Sequence, residues 1–379
     1  MRRRSFLAGA AALPLAGCAA PRLFAPAGVT LTHLKTWHPA QAWALLKLVS
    51  VGGVTPRHTV DAWRVLYPSA DSAGQPIQLS GFLALPRGAR PTTLVSWHHG
   101  TTTTRSAVPS NVSTDAMAAA FVFAGTGRAV IAPDYLGLGA SPLTHTYLVA
   151  DDTARAITDL LAVARRVAGV PQTPPFLMGF SQGAHACLAA QAAMERAGQA
   201  VLGSAAVAGA HNLRTISLGE ALRGGAPSHS LYLAYLARGY SARYGQSLAS
   251  VLTGTAAATA TRLFDTPHKP EEIVAGLPTQ PRTMFRPDFL AAFDTDRPHW
   301  LLEAIAANET SHFTPRAPIR LYYGRGDRDV VPREALATSA AMQARGADVM
   351  AVDVGDVGHD PSLLAAVPRV LAWMEQLGA

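Results

Sequence analysis

The sequence predicts an α/β protein with a largely parallel sheet covered by helices on both faces. Three observations carry that expectation. Short apolar runs alternate with helical stretches along most of the chain. One such run leads directly into Gly179-Phe180-Ser181-Gln182-Gly183 and then an Ala-rich helical stretch, a strand–turn–helix transition. The alternation breaks only once, over residues 211–316.

The elements follow in order. Residues 19–32 carry Pro21, Pro26 and Gly28 and read as a tether; residues 39–50 have an apolar helical look and end at Gly52-Gly53. Residues 61–67 and 78–85 flank a turn containing Asp71, Gly74 and Pro76, which predicts a hairpin. Residues 93–98 and 129–133 are the next strands, separated by a helical stretch around 115–124. Residues 151–167 form a long amphipathic helix, 176–180 a buried strand, 182–196 a helix and 202–207 a strand. Strands at 319–323 and 349–354 and a helix over 361–377 complete the pattern. The core thus spans 59–210 and 317–379. The intervening residues 211–316 are far longer than the dozen or so a crossover needs. They are rich in Tyr and Phe without strand periodicity, which predicts a mostly helical insertion acting as a lid.

Composition narrows the functional class. Hydrophobic residues make up 49% of the 379 and charged residues 15%, which excludes a disordered or fibrous chain. The formal net charge is +7, but the basic residues are mostly single, scattered Arg, with only Lys35, Lys47 and Lys269 as lysines. A nucleic-acid partner would need them gathered on one face, so none is expected. The two cysteines, Cys18 and Cys187, are too few for a disulfide framework, and no metal-spaced Cys/His cluster exists in the sequence.

Residues 1–17 look like an address. Arg2-Arg3-Arg4 precedes an apolar run from Phe6 to Ala16, about half the roughly 20 residues of a spanning helix. Arg3-Arg4-Ser5-Phe6-Leu7 resembles a twin-arginine export motif, and Leu15-Ala16-Gly17-Cys18 resembles the bacterial lipobox. The expectation is an exported, periplasmic or cell-surface protein anchored to a membrane by lipid on Cys18, with 18–58 forming the tether and N-terminal helix.

Chemistry concentrates at a few positions. Gly179–Gly183 fits G-x-S-x-G in the strand-then-helix context of a nucleophile elbow, which exposes Ser181 above the sheet. A serine hydroxyl needs a base held by a third group. His359 lies after the last strand in Gly358-His359-Asp360-Pro361, with Asp360 suited to a helix N-cap and Pro361 to the first helical position. His312 precedes the strand at 319–323 and reads as a lid or surface residue; His185, four residues beyond Ser181, should pack within its helix. The loop after residue 323 offers two acids, Asp327 and Asp329. An oxyanion would need preset donors: the backbone N–H of Gln182, and that of Thr101 in His98-His99-Gly100-Thr101.

Taken together, His99-Gly100-Thr101-Thr102, the stretch from Ala132 to Gly139, the Gly179–Gly183 pentapeptide, the Asp327 loop and Gly358-His359 resemble the α/β-hydrolases, and more narrowly bacterial secretory lipases and esterases. The resemblance covers residues 60–375. It implies an eight-stranded core, a helical lid after the sixth strand, no cofactor, and hydrolysis of small-molecule or lipid esters through an acyl-enzyme. It also implies Asp327 as the acid, three residues after Gly324, and a structural role for Asp134. The alternatives are a peptidase or acyltransferase on the same fold, or a catalytically silent hydrolase-like lipoprotein that binds hydrophobic ligands.

Overall fold

The computed structural model describes residues 23–265 and 268–379; the stretch read as an export signal and Cys18 lie outside them. The described strands are β1 (Thr30–Trp37), β2 (Val60–Ala70), β3 (Pro76–Pro86), β4 (Leu94–His98), β5 (Ala129–Pro133), β6 (Phe176–Phe180), β7 (Gly203–Val207), β8 (Ile319–Tyr323) and β9 (Val349–Asp353). They form one sheet in the order β1-β2-β3-β5-β4-β6-β7-β8-β9. From β5 to β9 the pairs are parallel, and from β1 to β3 and onto β5 they are antiparallel.

The sheet therefore has nine strands among the described residues, one more than expected. The additional strand is β1, whose first residues fall in the stretch read as tether. Only Trp37 of its eight residues is buried, so it lacks the apolar alternation that marks a half-buried strand. What makes it a strand is pairing with β2, from Thr30 opposite Leu66 to Trp37 opposite Val60. The β2–β3 hairpin closes as its turn chemistry requires. Asp71 Oδ1 accepts the N–H groups of Ala73 and Gln75, and Gly74 supplies a φ of 80°.

The helices are α1 (Pro39–Leu48), α2 (Thr114–Ala119), α3 (Ala150–Ala164), α4 (Gln182–Arg196), α5 (Leu218–Arg223), α6 (His229–Tyr244), α7 (Gly254–Leu263), α8 (Pro270–Ala275), α9 (Pro287–Asp294), α10 (Trp300–Ala307), α11 (Arg333–Gln343) and α12 (His359–Gln376). Every residue of β4, β5 and β7 is buried. On one face Leu83, Ile131 and Leu177 pack with Leu160 of α3 and Met194 of α4. On the other, Phe82, Val130 and Met178 pack with Leu46 of α1, Phe121, and Trp373 and Met374 of α12. That two-sided burial is why these strands read as unbroken apolar runs.

The helices α5 to α10 lie between β7 and β8 and bury a cluster of their own, including Tyr235, Tyr240, Phe264, Phe289 and Ile305. Their root is tied to the core by Glu334 of α11. This carboxylate accepts the N–H groups of His211 and Asn212, the Asn212 side-chain amide and the Ser217 hydroxyl. Burial raises the Glu334 pKa, and those donors oppose the rise.

Candidate active site

The parallel register brings the carboxyl ends of β4, β6, β8 and β9 to one edge, with His98 opposite Gly179 and Tyr323 opposite Asp353. Ser181 follows β6 with φ 55° and ψ −115°, a backbone region that costs a non-glycine residue on the order of 1–3 kcal/mol. The flanking glycines make the turn possible. A Cβ on Gly179 would collide with the Gly183 carbonyl, and one on Gly183 with the carbonyl of His98. The strain lifts the hydroxyl above the sheet at the first turn of α4, where the helix N-terminus favours negative charge.

Ser181, His359 and Asp327 form one hydrogen-bonded chain. Ser181 Oγ lies 2.9 Å from His359 Nε2, and His359 Nδ1 lies 2.8 Å from Asp327 Oδ2. Asp327 is buried, and its other oxygen accepts the N–H groups of Asp329 and Val330 at 2.9 and 3.0 Å. The acceptor on Nδ1 leaves Nε2 free to take the serine proton. Burial alone lowers the pKa of His359. The hydrogen bond and charge of Asp327, with the charges of Asp329 and Asp360, outweigh it, and the net shift is upward.

His359 is the first residue of α12, and Gly358 is its N-cap, a correction to the expected start at Asp360 and Pro361. The helix starts earlier because Ser362 N–H reaches the Gly358 carbonyl at 3.1 Å, and Pro361 falls in the first turn, where no backbone donor is needed. The ring of His359 also rests against Phe180, with centroids 4.9 Å apart.

Asp329 turns elsewhere. Its carboxylate accepts the hydroxyl of Ser228, just before α6, while His229 Nε2–H donates to the Arg328 carbonyl at 3.1 Å. His312 pairs with Glu309 at 3.1 Å on the surface. His185 is buried in α4, donates to the Asn308 carbonyl at 2.8 Å, and has its pKa lowered to about 4 by burial.

Gln182 opens α4, so its N–H has no acceptor within the helix. Thr101 lies beyond β4, with its hydroxyl 2.9 Å from the Tyr147 hydroxyl. The Gln182 side chain is held by His145. Nδ1–H of His145 donates to the Leu136 carbonyl at 2.6 Å, so its Nε2 accepts the Gln182 amide at 2.8 Å. Burial lowers the His145 pKa to about 4, which keeps that ring neutral. An aromatic column links this loop to the helices above it. Tyr147 stacks on Tyr235 at 4.9 Å, and Tyr235 on Phe264 at 4.5 Å. His145 and Tyr147 escaped the sequence reading because their loop carries no motif. Asp134 is fully buried and accepts from Ser80 Oγ and Ser110 N, tying β3 and β5 to the 109–111 turn.

Beside Ser181 lies a narrow cavity of about 60 Å³. Its polar wall includes Ser181, Gln182, Tyr147, His229 and Asp329; its apolar wall includes Leu213, Leu218, Leu233, Leu236 and Ile305.

The fold and the sequence both have relatives. The chain superposes on a Legionella pneumophila protein thought to be a hydrolase with a TM-score of 0.86, at 21% identity, covering 92% of this chain and 97% of that one. The rice cell wall degrading esterase LipA from Xanthomonas oryzae matches with a TM-score of 0.81 at 22% identity, over 95% of this chain and 98% of that one. Candida antarctica lipase A in its closed state matches with a TM-score of 0.71 at 13% identity, over 92% and 81%. No curated protein matches the sequence. The secretory lipase family profile matches residues 108–377, which spans β5 to β9 and the helices between β7 and β8. The chain belongs to the secretory lipase family, and with it to the carboxylic ester hydrolases of the α/β-hydrolase fold.

Proposed function

We propose that the protein hydrolyses esters through an acyl-enzyme on Ser181, with His359 as general base and acid and Asp327 as the group that orients it. The hydrogen-bonded chain from Ser181 to His359 to Asp327 carries this reading. Ser181 Oγ attacks the ester carbonyl carbon as its proton passes to His359 Nε2, and the carbonyl oxygen becomes an oxyanion. The N–H groups of Gln182 and Thr101 receive that oxyanion. Collapse of the intermediate expels the alcohol, which takes the proton from Nε2. Water then adds to the acyl-enzyme by the same route and releases the carboxylic acid. Asp327 keeps the Nδ1 proton in place and stabilises the imidazolium.

The helical insert is the lid of this site. Its residues supply the apolar wall, and with them in position the cavity is smaller than the ~150 Å³ that holds a benzene. Short acyl chains are the substrates this arrangement admits. The protein is exported and tethered by lipid on Cys18; no helix among the described residues is long and apolar enough to cross a membrane.

Labelling with a fluorophosphonate probe tests the reading. The parent should be labelled, and Ser181→Ala should be folded and unlabelled, with kcat reduced by roughly 10⁶. A folded Ser181→Ala retaining activity within tenfold of the parent would remove the assignment. A parent that binds hydrophobic ligands but takes no label would favour the catalytically silent alternative.

A further inference from the structure

Asp329 is two residues from Asp327, yet its carboxylate borders the substrate cavity instead of His359. The insert holds it there, since the Ser228 hydroxyl donates to Oδ1. Its own N–H donates to Asp327 Oδ1 at 2.9 Å, so the loop that positions the acid also positions this second carboxylate. Among the described residues lining the cavity there is no Lys or Arg. The one imidazole there, His229, has both ring nitrogens engaged, by the Ala226 N–H and the Arg328 carbonyl. The Arg328 side chain itself is exposed. The field of Asp329 reaches across the pocket. Burial pushes the phenols of Tyr147 and Tyr232 up, and the charge of Asp329 adds to both shifts.

We infer that Asp329 is a specificity-determining residue: it makes the acyl pocket select esters whose acyl chain is neutral or cationic and reject those whose chain ends in a carboxylate. The inference rests on the proposed ester hydrolysis at Ser181. The physical reason is the geometry. In a cavity walled largely by apolar side chains, two negative charges a few ångströms apart repel far more strongly than in bulk solution. A chain only a few carbons long leaves its terminal group no route out of that field. A hydroxyl or ammonium at the same place would instead find an acceptor. Apolar lining alone would penalise a terminal cation as much as a terminal anion; the carboxylate makes the two unequal.

The test uses three ethyl esters with the same two-methylene spacer: monoethyl succinate, ethyl succinamate and ethyl β-alaninate. Their hydrolysis by the parent is followed by pH-stat, beside ethyl butyrate as the neutral control. The expected order of kcat/KM is β-alaninate at or above succinamate, with succinate lower than succinamate by about tenfold or more. Asp329→Asn keeps the partner for Ser228 and should bring succinate to within about threefold of succinamate. Asp329→Glu should keep the discrimination. Each variant is compared only by ratios between esters, so a general loss of activity cancels. Succinate and succinamate cleaved equally by the parent would overturn the inference whether or not any variant folds. So would an unchanged ratio in a folded Asp329→Asn. Failure of the parent on ethyl butyrate itself would instead count against ester hydrolysis.

Discussion

Asp327 Oδ2 lies 2.8 Å from His359 Nδ1, while the other oxygen of the same carboxylate accepts two backbone N–H groups from its own loop. The carboxylate is therefore held from both sides and presents one oxygen to the ring. Replacing it with Asn keeps the shape but offers the wrong tautomer, which can cost roughly 10⁴ in kcat. Asp327→Asn is expected to approach that loss on ethyl butyrate. Asp329→Asn, which touches Ser228 and not His359, should lose no more than about tenfold. Steady-state kinetics of the two variants checks this, and the reverse ranking would reject the assignment.

The pH profile gives a second check. His359 must be neutral to act as base, and its pKa is raised above the ordinary 6.5: burial lowers it, but Asp327, Asp329 and Asp360 together raise it more. The acidic limb of kcat/KM should then have its midpoint above 6.5. In Asp327→Asn the strongest raising causes are gone while burial remains, so the limb should move to lower pH. A limb that stays in place would show that another group titrates.

Chain-length selection should respond to the insert. Leu233 and Leu236 of α6 line the cavity. Leu233→Ala and Leu236→Ala enlarge it and should raise the ratio of octanoate to acetate ester hydrolysis several-fold. Point substitutions are the clean test. Deleting residues 225–300 would also remove Tyr235, Tyr240, Phe264 and Phe289 from one buried cluster. An unchanged ratio in both variants would mean that the acyl chain lies elsewhere.

Cys18→Ala tests the proposed anchor, which concerns residues outside the described structure. The variant should move from the membrane to the soluble fraction without loss of kcat, and should no longer incorporate labelled fatty acid. A parent that incorporates none would argue against the lipobox.

Much of the fold was legible because its signals are local. Residues 176–196 had to be strand, elbow and helix: a fully apolar run, two glycines where any Cβ collides, and an Ala-rich stretch all act within about twenty positions. The β2–β3 hairpin was readable for the same reason, since Asp71 caps its own turn. The edge strand β1 was not, because only one of its side chains, Trp37, is buried and only the partner strand makes it a strand. The loop after β8 offered Asp327 and Asp329, the family resemblance pointed to Asp327, and chain order pointed to His359. Which carboxylate meets the imidazole depends on contacts 32 positions away, and which meets Ser228 of the insert on contacts 101 positions away. The grip of His145 on Gln182 and of Tyr147 on Thr101 is likewise long-range. Backbone sterics and hydrophobic period are written residue by residue. The aim of a carboxylate or a phenol is settled only when distant segments close around it, and the sequence carries no local trace of that.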